Sequence, residues 1–289
     1  MEDPDNQMER YRAWAMLQPD LCIFQTPTWL DVVAPDWRVE RGEGWWWPYA
    51  RRKQFGLVIS QLPICTPYLG PILLEDCDLD RLPQAPDTVD YILYTSFQPA
   101  LAIAAGKHAR SMATQRITLP QSKPFGKTLC KRILRGRKEL TIERFPPSVA
   151  EMRSLAGDQQ FPVPERFFEV FKSLGSMHEV DCISLRHADN LVGIQLCASD
   201  QVVTYGLLQM RARNASSDTG ALLMAELLEV ADERSSQVLD LCGGYLPGVR
   251  SFNAGFGAKL KGYTQVRYAT TPAVQAADWI RSLTNSRRL

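Results

Sequence analysis

Apolar residues recur at two periods along this chain, and the period changes from segment to segment. In VPERFFEVFKSLGSMHEV, Phe167, Phe168, Val170, Phe171 and Leu174 fall three and four residues apart, the spacing of one helix face. PSVAEMRSLAGDQ reads as another helix just upstream. CISLRHADN, LVGIQLCASD and QVVTYGLLQM follow as strands. The links between them over residues 181–209 are too short for crossovers, so neighbours must run antiparallel. A polar loop, RARNASSDT, leads into a long helix beginning at Gly220, GALLMAELLEVADERSS. VLDLCGG is then a strand, LPGVRSFNAGFG a short helix ending at a glycine, and KGYTQVRYAT a last strand, with residues 272–289 as a terminal helix and basic tail.

The first half has a fainter pattern. Residues 1–20 read as a polar lead-in. In FQTPTWLDVVAP, Thr26 is placed to cap a short helix with Pro27 in its first turn and Trp29, Leu30 and Val33 on one face. WRVERGEG and WWWPYARRKQ read as two strands about the Gly42–Gly44 turn. Only Trp45 and Trp47 of the WWW run share a strand face, so one ring of the three is expected outside the core. LVISQLPICTPYLGPILL is a strand followed by an irregular buried segment, because Pro63, Pro67 and Pro71 interrupt it. DTVDYILYTSF and QRITLPQ are further strands. KTLCKRILRGRKELTIERF (127–145) is a helix with Leu129, Ile133 and Leu134 on one stripe and Lys131, Arg132, Arg135, Arg137 and Lys138 on the other faces. That helix reads as the joint between two copies of a mixed α/β unit, over residues 1–125 and 126–289. A single doubly wound sheet would need a helix at every crossover, which 181–209 lacks.

Composition adds exclusions. Of 289 residues, 45% are hydrophobic and 22% charged, a globular balance. Lys+Arg of 33 against Asp+Glu of 32 gives a net charge of +1, so no global field points to nucleic acid or an anionic membrane, though local patches remain open. The seven cysteines (22, 65, 77, 130, 182, 197, 242) include no C-x-x-C pair and fit a reducing compartment. The polar, acidic start MEDPDNQMERYRAW is no signal peptide, and no run approaches the ~18 apolar residues of a membrane span. A soluble cytoplasmic protein is expected. His108, His178 and His187 lie in polar, turn-like surroundings without metal spacing, so no metal is expected. There is no G-x-x-x-x-G-K-[ST], no G-x-G-x-x-G after a strand and no G-x-S-x-G, which excludes the common nucleotide-binding and serine-hydrolase signatures.

Two stretches carry chemistry. The loop 211–221 opens a helix, whose N-terminal N–H groups and dipole favour an anion, with Arg211 and Arg213 adding two cations. The same residues also read as an ordinary helix cap. LDLCGGYLPGVRSFNAGFGAKL packs Gly243, Gly244, Gly248, Gly255 and Gly257 into fifteen residues, either as turns about a short helix or as backbone that lies close to a ligand.

The order strand, phosphate-compatible loop, long helix, strand, short helix closing in GFG resembles the core of the GCN5-related N-acetyltransferases (GNAT). In LDLCGGYLPGVRSFNAGFGAKLKGYTQVRY, residues Gly248, Val249, Phe252, Phe256 and Gly257 match the G-[IV]-x-x-F-x-x-x-F-G pattern of its FemAB-like branch. FQTPTWLD, PYLGPIL and KRILRGRKEL resemble earlier segments of that branch in the same order, so the resemblance spans roughly 21–270. One departure stands out: against the GNAT loop R/Q-x-x-G-x-G/A, only Gly220-Ala221 of the 213–221 stretch fits, and Asp218 would repel donor phosphates unless turned away.

The resemblance implies tandem GNAT-like α/β folds and an acyltransferase moving an acyl or aminoacyl group from a thioester or ester to an amine on a small molecule or peptide. It implies acyl-CoA or acetyl-CoA as donor, held by Gln209, Met210, Arg211, Arg213, Thr219, Gly220 and Ala221, with strand 237–242 splaying from its neighbour to admit the donor arm. Gly243 and Gly244 would turn the chain near the ligand, and Gly257 would end the short helix in a left-handed conformation. Tyr245 would protonate the leaving group or hold a carbonyl, or else be a surface turn residue. Asp240 would be a general base or a salt-bridge partner. Tyr205 is placed with the substrate; Tyr68, in the PYLG turn, is placed there too or in the core. Two other readings remain: a non-catalytic GNAT-shaped binding or scaffold protein, and an aminoacyl-tRNA-dependent peptidyltransferase. The second takes tRNA as donor and would use a basic track from the 131–138 helix, which otherwise reads as a solvated face.

Overall fold

The computed structural model describes residues 4–272 and 274, apart from 55, 76, 122–124, 158–162 and 245. The chain begins with α1 (Pro4–Met16), α2 (Pro27–Val33), β1 (Arg38–Gly42), β2 (Trp45–Tyr49), β3 (Arg52–Gln54), β4 (Leu57–Ser60), β5 (Ile72–Leu73), β6 (Tyr91–Ser96), α3 (Pro99–Ala105) and β7 (Ala109–Thr118). It continues with α4 (Lys127–Glu139), β8 (Thr141–Glu143), α5 (Val149–Gly157), α6 (Glu165–Leu174), β9 (Val180–His187) and β10 (Asn190–Ser199). The last elements are β11 (Val203–Arg211), α7 (Ser217–Glu233), β12 (Val238–Asp240), α8 (Pro247–Ala254) and β13 (Lys259–Ala269). The expected terminal helix lies almost wholly outside the described residues.

Two compact units result, one of Met1–Gln18, Phe24–Met112 and Gly262–Leu289, the other of Pro19–Ile23 and Ala113–Lys261. They are discontinuous in sequence, unlike the linear division at residue 125. The chain passes from one unit to the other inside β7 and again inside β13. These strands have 10 and 11 residues, long enough to serve two units each.

In the first unit Thr26 caps α2, its side chain accepting from the Trp29 N–H, and Trp29, Leu30 and Val33 are buried as the spacing requires. β1, β2 and β5 form an antiparallel sheet with Arg38 opposite Tyr49 and Trp45 opposite Leu73. All five residues of β2 are buried, which corrects the expected outward ring. Trp47 packs on Tyr94, while Trp46 packs on Tyr11 and Trp14 of α1. The "polar lead-in" is therefore a helix, with the other face of this sheet as its partner. Its apolar residues are few, and the apolar stripe that marks an amphipathic helix is faint. The remaining strands run β3–β4–β6–β13, with β4 and β6 parallel.

In the second unit the strand order is β7–β12–β11–β10–β9–β8. The pairs β9/β10 and β10/β11 are antiparallel hairpins, as expected, and β11/β12 is parallel. α7 is buried along most of its 17 residues against these strands, and α4 lies upon α7. A Cβ on Gly136 of α4 would stand 3.2 Å from Leu222 Cβ, so the glycine lets the two helices approach. α7 starts at Ser217, three residues before the expected start, with Asp218 in the first turn where an anion suits the dipole. No helix among the described residues is long and apolar enough to cross a membrane.

Candidate functional site

The parallel strands β11 and β12 pair only from Val203/Val238 to Tyr205/Asp240. β11 then runs on to Arg211, paired with β10 alone among the described strands. The register with β10 slips here: Leu196 faces Leu208 and Cys197 faces Gly206, which leaves Leu207 as an extra residue. Such a bulge bends its strand and raises the local twist. It falls next to the last β11/β12 pair, the place at which strand 237–242 is expected to splay from its neighbour. Gly206 sits at its apex, where a Cβ would come within 3.1 Å of Leu227 Cδ2.

Asp240, the last paired residue of β12, is fully buried. Its Oδ2 accepts from Arg116 Nε at 2.7 Å, and its Oδ1 from Thr114 Oγ1 at 2.7 Å and the Cys242 N–H at 2.8 Å. Of its two readings, this geometry is that of the salt-bridge partner. Cys242 has φ +51°, and burial together with Asp240 pushes its thiol well above the usual range. Gly243 and Gly244 follow. The close approach at Gly244 (φ +116°) is to Gln115, whose Oε1 would lie 2.5 Å from an added Cβ. Gln115 is buried and clasps this turn. Its N–H donates to Gly243 O, its carbonyl accepts from the Leu241 N–H, and its side chain joins Arg250 O and Asn253 Nδ2. Downstream, α8 ends at Gly255 in a right-handed conformation, and Gly257 has φ +85°. Tyr245 lies outside the described residues.

At the start of α7, Asp218 is turned inward and buried. Its Oδ1 is 3.3 Å from Arg132 Nε and its Oδ2 is 2.9 Å from Arg135 Nε, both on α4. Arg132 also donates to Ser217 O. Met210, Thr219, Gly220 and Ala221 are buried; Gln209, Arg211 and Arg213 are exposed. A Cβ on Gly220 would meet Arg211 Nη1 at 3.1 Å, so that guanidinium lies over the turn. The anion at this helix start is thus the protein's own carboxylate, flanked by two arginines.

Tyr205 is buried, with its hydroxyl donating to Asp200 Oδ2 at 3.0 Å and 3.5 Å from Cys22 Sγ. Burial, with Cys22 and Asp200 nearby, pushes that hydroxyl far above the usual tyrosine range. Tyr68 is the core tyrosine of its two readings, packed on Phe97 at 4.6 Å and Tyr263 at 5.5 Å within the first unit. The second unit thus gathers Asp240, Tyr205, Gly243 and Gly244 at the splay and the 209–221 residues at the helix start.

No protein-family model matches the sequence, and no curated protein matches it. Solved structures do match. The C-terminal domain of a putative lysylphosphatidylglycerol synthetase from Agrobacterium fabrum aligns with TM-score 0.61 at 14% identity, covering 97% of each chain. FemX aligns with TM-score 0.59 at 9% identity, covering 91% of this chain and 96% of its own. A GCN5-related N-acetyltransferase from Kribbella flavida aligns with TM-score 0.51 at 13% identity, covering 86% and 95%.

The chain has a GNAT-type fold.

Sequence reasoning located the strand, loop and helix but did not give the part that four residues play around them: Thr114, Gln115, Arg116 and Arg132. The first three come from β7, more than 120 residues upstream of the turn they hold. A pattern of apolar spacing carries no signal for such long-range polar contacts. Arg132 and Arg135 did carry one: two arginines at i, i+3 on a helix share a face and fit a single carboxylate.

Proposed function

We propose that the chain is a GNAT-type acyltransferase that takes its acyl group from an aminoacyl ester, with aminoacyl-tRNA as donor, and passes it to an amine of a small molecule or peptide. The observation that carries the choice of donor is the buried Asp218, paired with Arg132 and Arg135 at the start of α7. A CoA donor would place its diphosphate at that helix start. There the two arginines of α4, Arg132 and Arg135, are already drawn onto the buried Asp218, with Arg132 also on Ser217 O, and they cover the turn that a diphosphate would occupy. An ester donor needs no diphosphate at this place. The similarity to a lysylphosphatidylglycerol synthetase domain, named for an aminoacylated product, supports the same choice.

In this reading the donor ester lies in the splay beyond Tyr205/Asp240, its carbonyl oxygen on backbone N–H groups of β11 that β12 leaves unpaired. The acceptor amine attacks the carbonyl carbon. The C–N bond forms, the C–O bond of the ester breaks, and the amine proton passes to water. Tyr245 gives its proton to the departing ribose oxygen and regains one from solvent. Asp240 is a positioning residue here: through the Cys242 N–H it fixes the turn that leads to Tyr245.

One observation favours the non-catalytic reading. Asp240 and Tyr205, the acid–base groups nearest the divergence, are both buried and engaged. The test supplies tRNA charged with labelled amino acids, or labelled acetyl-CoA, to the full chain with a panel of amines. Label is expected to leave aminoacyl-tRNA for an amine, with Tyr245→Phe about a hundredfold slower. Transfer from acetyl-CoA alone overturns the donor assignment. Transfer from neither supports a binding protein.

A further inference from the structure

A cavity opens on the second unit beside β7 and the start of β13. This bay has a volume of ≈ 610 Å³, and its cationic lining residues are Arg116, Lys259 and Lys261. No acidic side chain lines it among the described residues. Phe125 and Leu260 give it apolar surface, and Gln121, also in its lining, donates to Phe256 O. Lys259 and Lys261 are exposed, whereas the Arg116 side chain is mostly buried and is anchored by the fully buried Asp240 at 2.7 Å.

We propose that this bay binds a phosphate-bearing ligand between Arg116, Lys259 and Lys261. Charge balance decides the class. The charge of Arg116 is matched by Asp240, which leaves the two lysines as about two uncompensated positive charges. A phosphate monoester carries about −1.5 to −2 at neutral pH and balances them, whereas a single carboxylate does not. An arginine held by its own carboxylate is preorganised, so little side-chain entropy is lost when the anion arrives. The volume has room for more than inorganic phosphate, and its apolar surface suits the body to which a phosphate ester is attached.

The ligand's source is either a free phosphate compound or a lipid headgroup, and separate probes distinguish them. Calorimetric titration of the full chain would use pyrophosphate, adenosine 5′-monophosphate, and phosphatidic acid in phosphatidylcholine vesicles. At least one is expected to bind saturably. Losing two charge-assisted contacts in Lys259→Gln/Lys261→Gln should weaken that binding by about tenfold or more. Lys107→Gln/Lys172→Gln removes the same charge from exposed positions outside the bay and should change it by less than about twofold. Lys259→Arg/Lys261→Arg keeps the charge and should restore binding, which separates charge loss from misfolding. Binding to none of the three probes overturns the proposal, as does an equal loss in both glutamine pairs. Because the readout is binding and not transfer, a failure here leaves the donor assignment untouched.

Discussion

At Gly244 a φ of +116° coincides with a position where any Cβ would lie 2.5 Å from Gln115 Oε1. Gly244→Ala should therefore lose about 1–3 kcal/mol, for the left-handed backbone and for the displaced clasp together. Gly248, in α8, has ordinary φ and open space around it, so Gly248→Ala should be neutral or stabilise by up to about 1 kcal/mol. Urea denaturation of the two variants checks the contrast; equal effects would mean that the Gln115 clasp contributes nothing. The density of glycine in this segment was visible in the sequence, but its meaning was not. The neighbour that requires Gly244 is a glutamine from β7, 129 positions upstream, and it is internal. Asp240 was ambiguous for the same reason: the chemistry of a carboxylate depends on its partners, and Thr114 and Arg116 also come from β7.

Among the elements, α5 shows how a local signal couples to distant charge. Ser148 and Glu151 form a reciprocal cap, Ser148 N–H donating to Glu151 Oε2 at 2.9 Å and Glu151 N–H to Ser148 Oγ at 3.3 Å. Arg186 of β9 donates to the same carboxylate at 2.6 Å and, with Ser148, lowers its pKa to about 2. A depressed carboxylate contributes its stability above the unfolded value of about 4.3 and loses it as pH falls through the folded value. The stability gap between wild type and Glu151→Gln should thus be full near pH 6 and close as the pH falls toward about 2, since glutamine keeps the cap without the charge. Denaturant titrations across that range would show it, and a constant gap would rule out the Arg186 pairing. Elements with a strong period, such as α6, α7 and the β9–β11 hairpins, were legible because burial on one face dictates the spacing. α1 and α3 were not. α1 has few apolar residues, and α3, in the short run PALAIAA, carries too little pattern to separate helix from loop.

At the scale of the whole molecule, the mixed α/β architecture and the order of the GNAT core could be read from the chain, whereas its division into units could not. Long strands that leave one unit and enter the other look like any strand in sequence. The surroundings of the α7 start, on which the proposed donor rests, were the other unread property. The same residues, 209–221, describe an open anion site or a closed one, and the difference lies in Arg132 and Arg135 on α4, more than eighty positions upstream. Closure of that helix start against a donor diphosphate is the central claim, and calorimetric titration of the full chain with CoA and acetyl-CoA tests it most directly. No saturable binding is predicted up to about 1 mM, the upper end of ordinary KM values. One-to-one micromolar binding that weakens on Gly220→Glu would place the diphosphate at α7 and contradict the account.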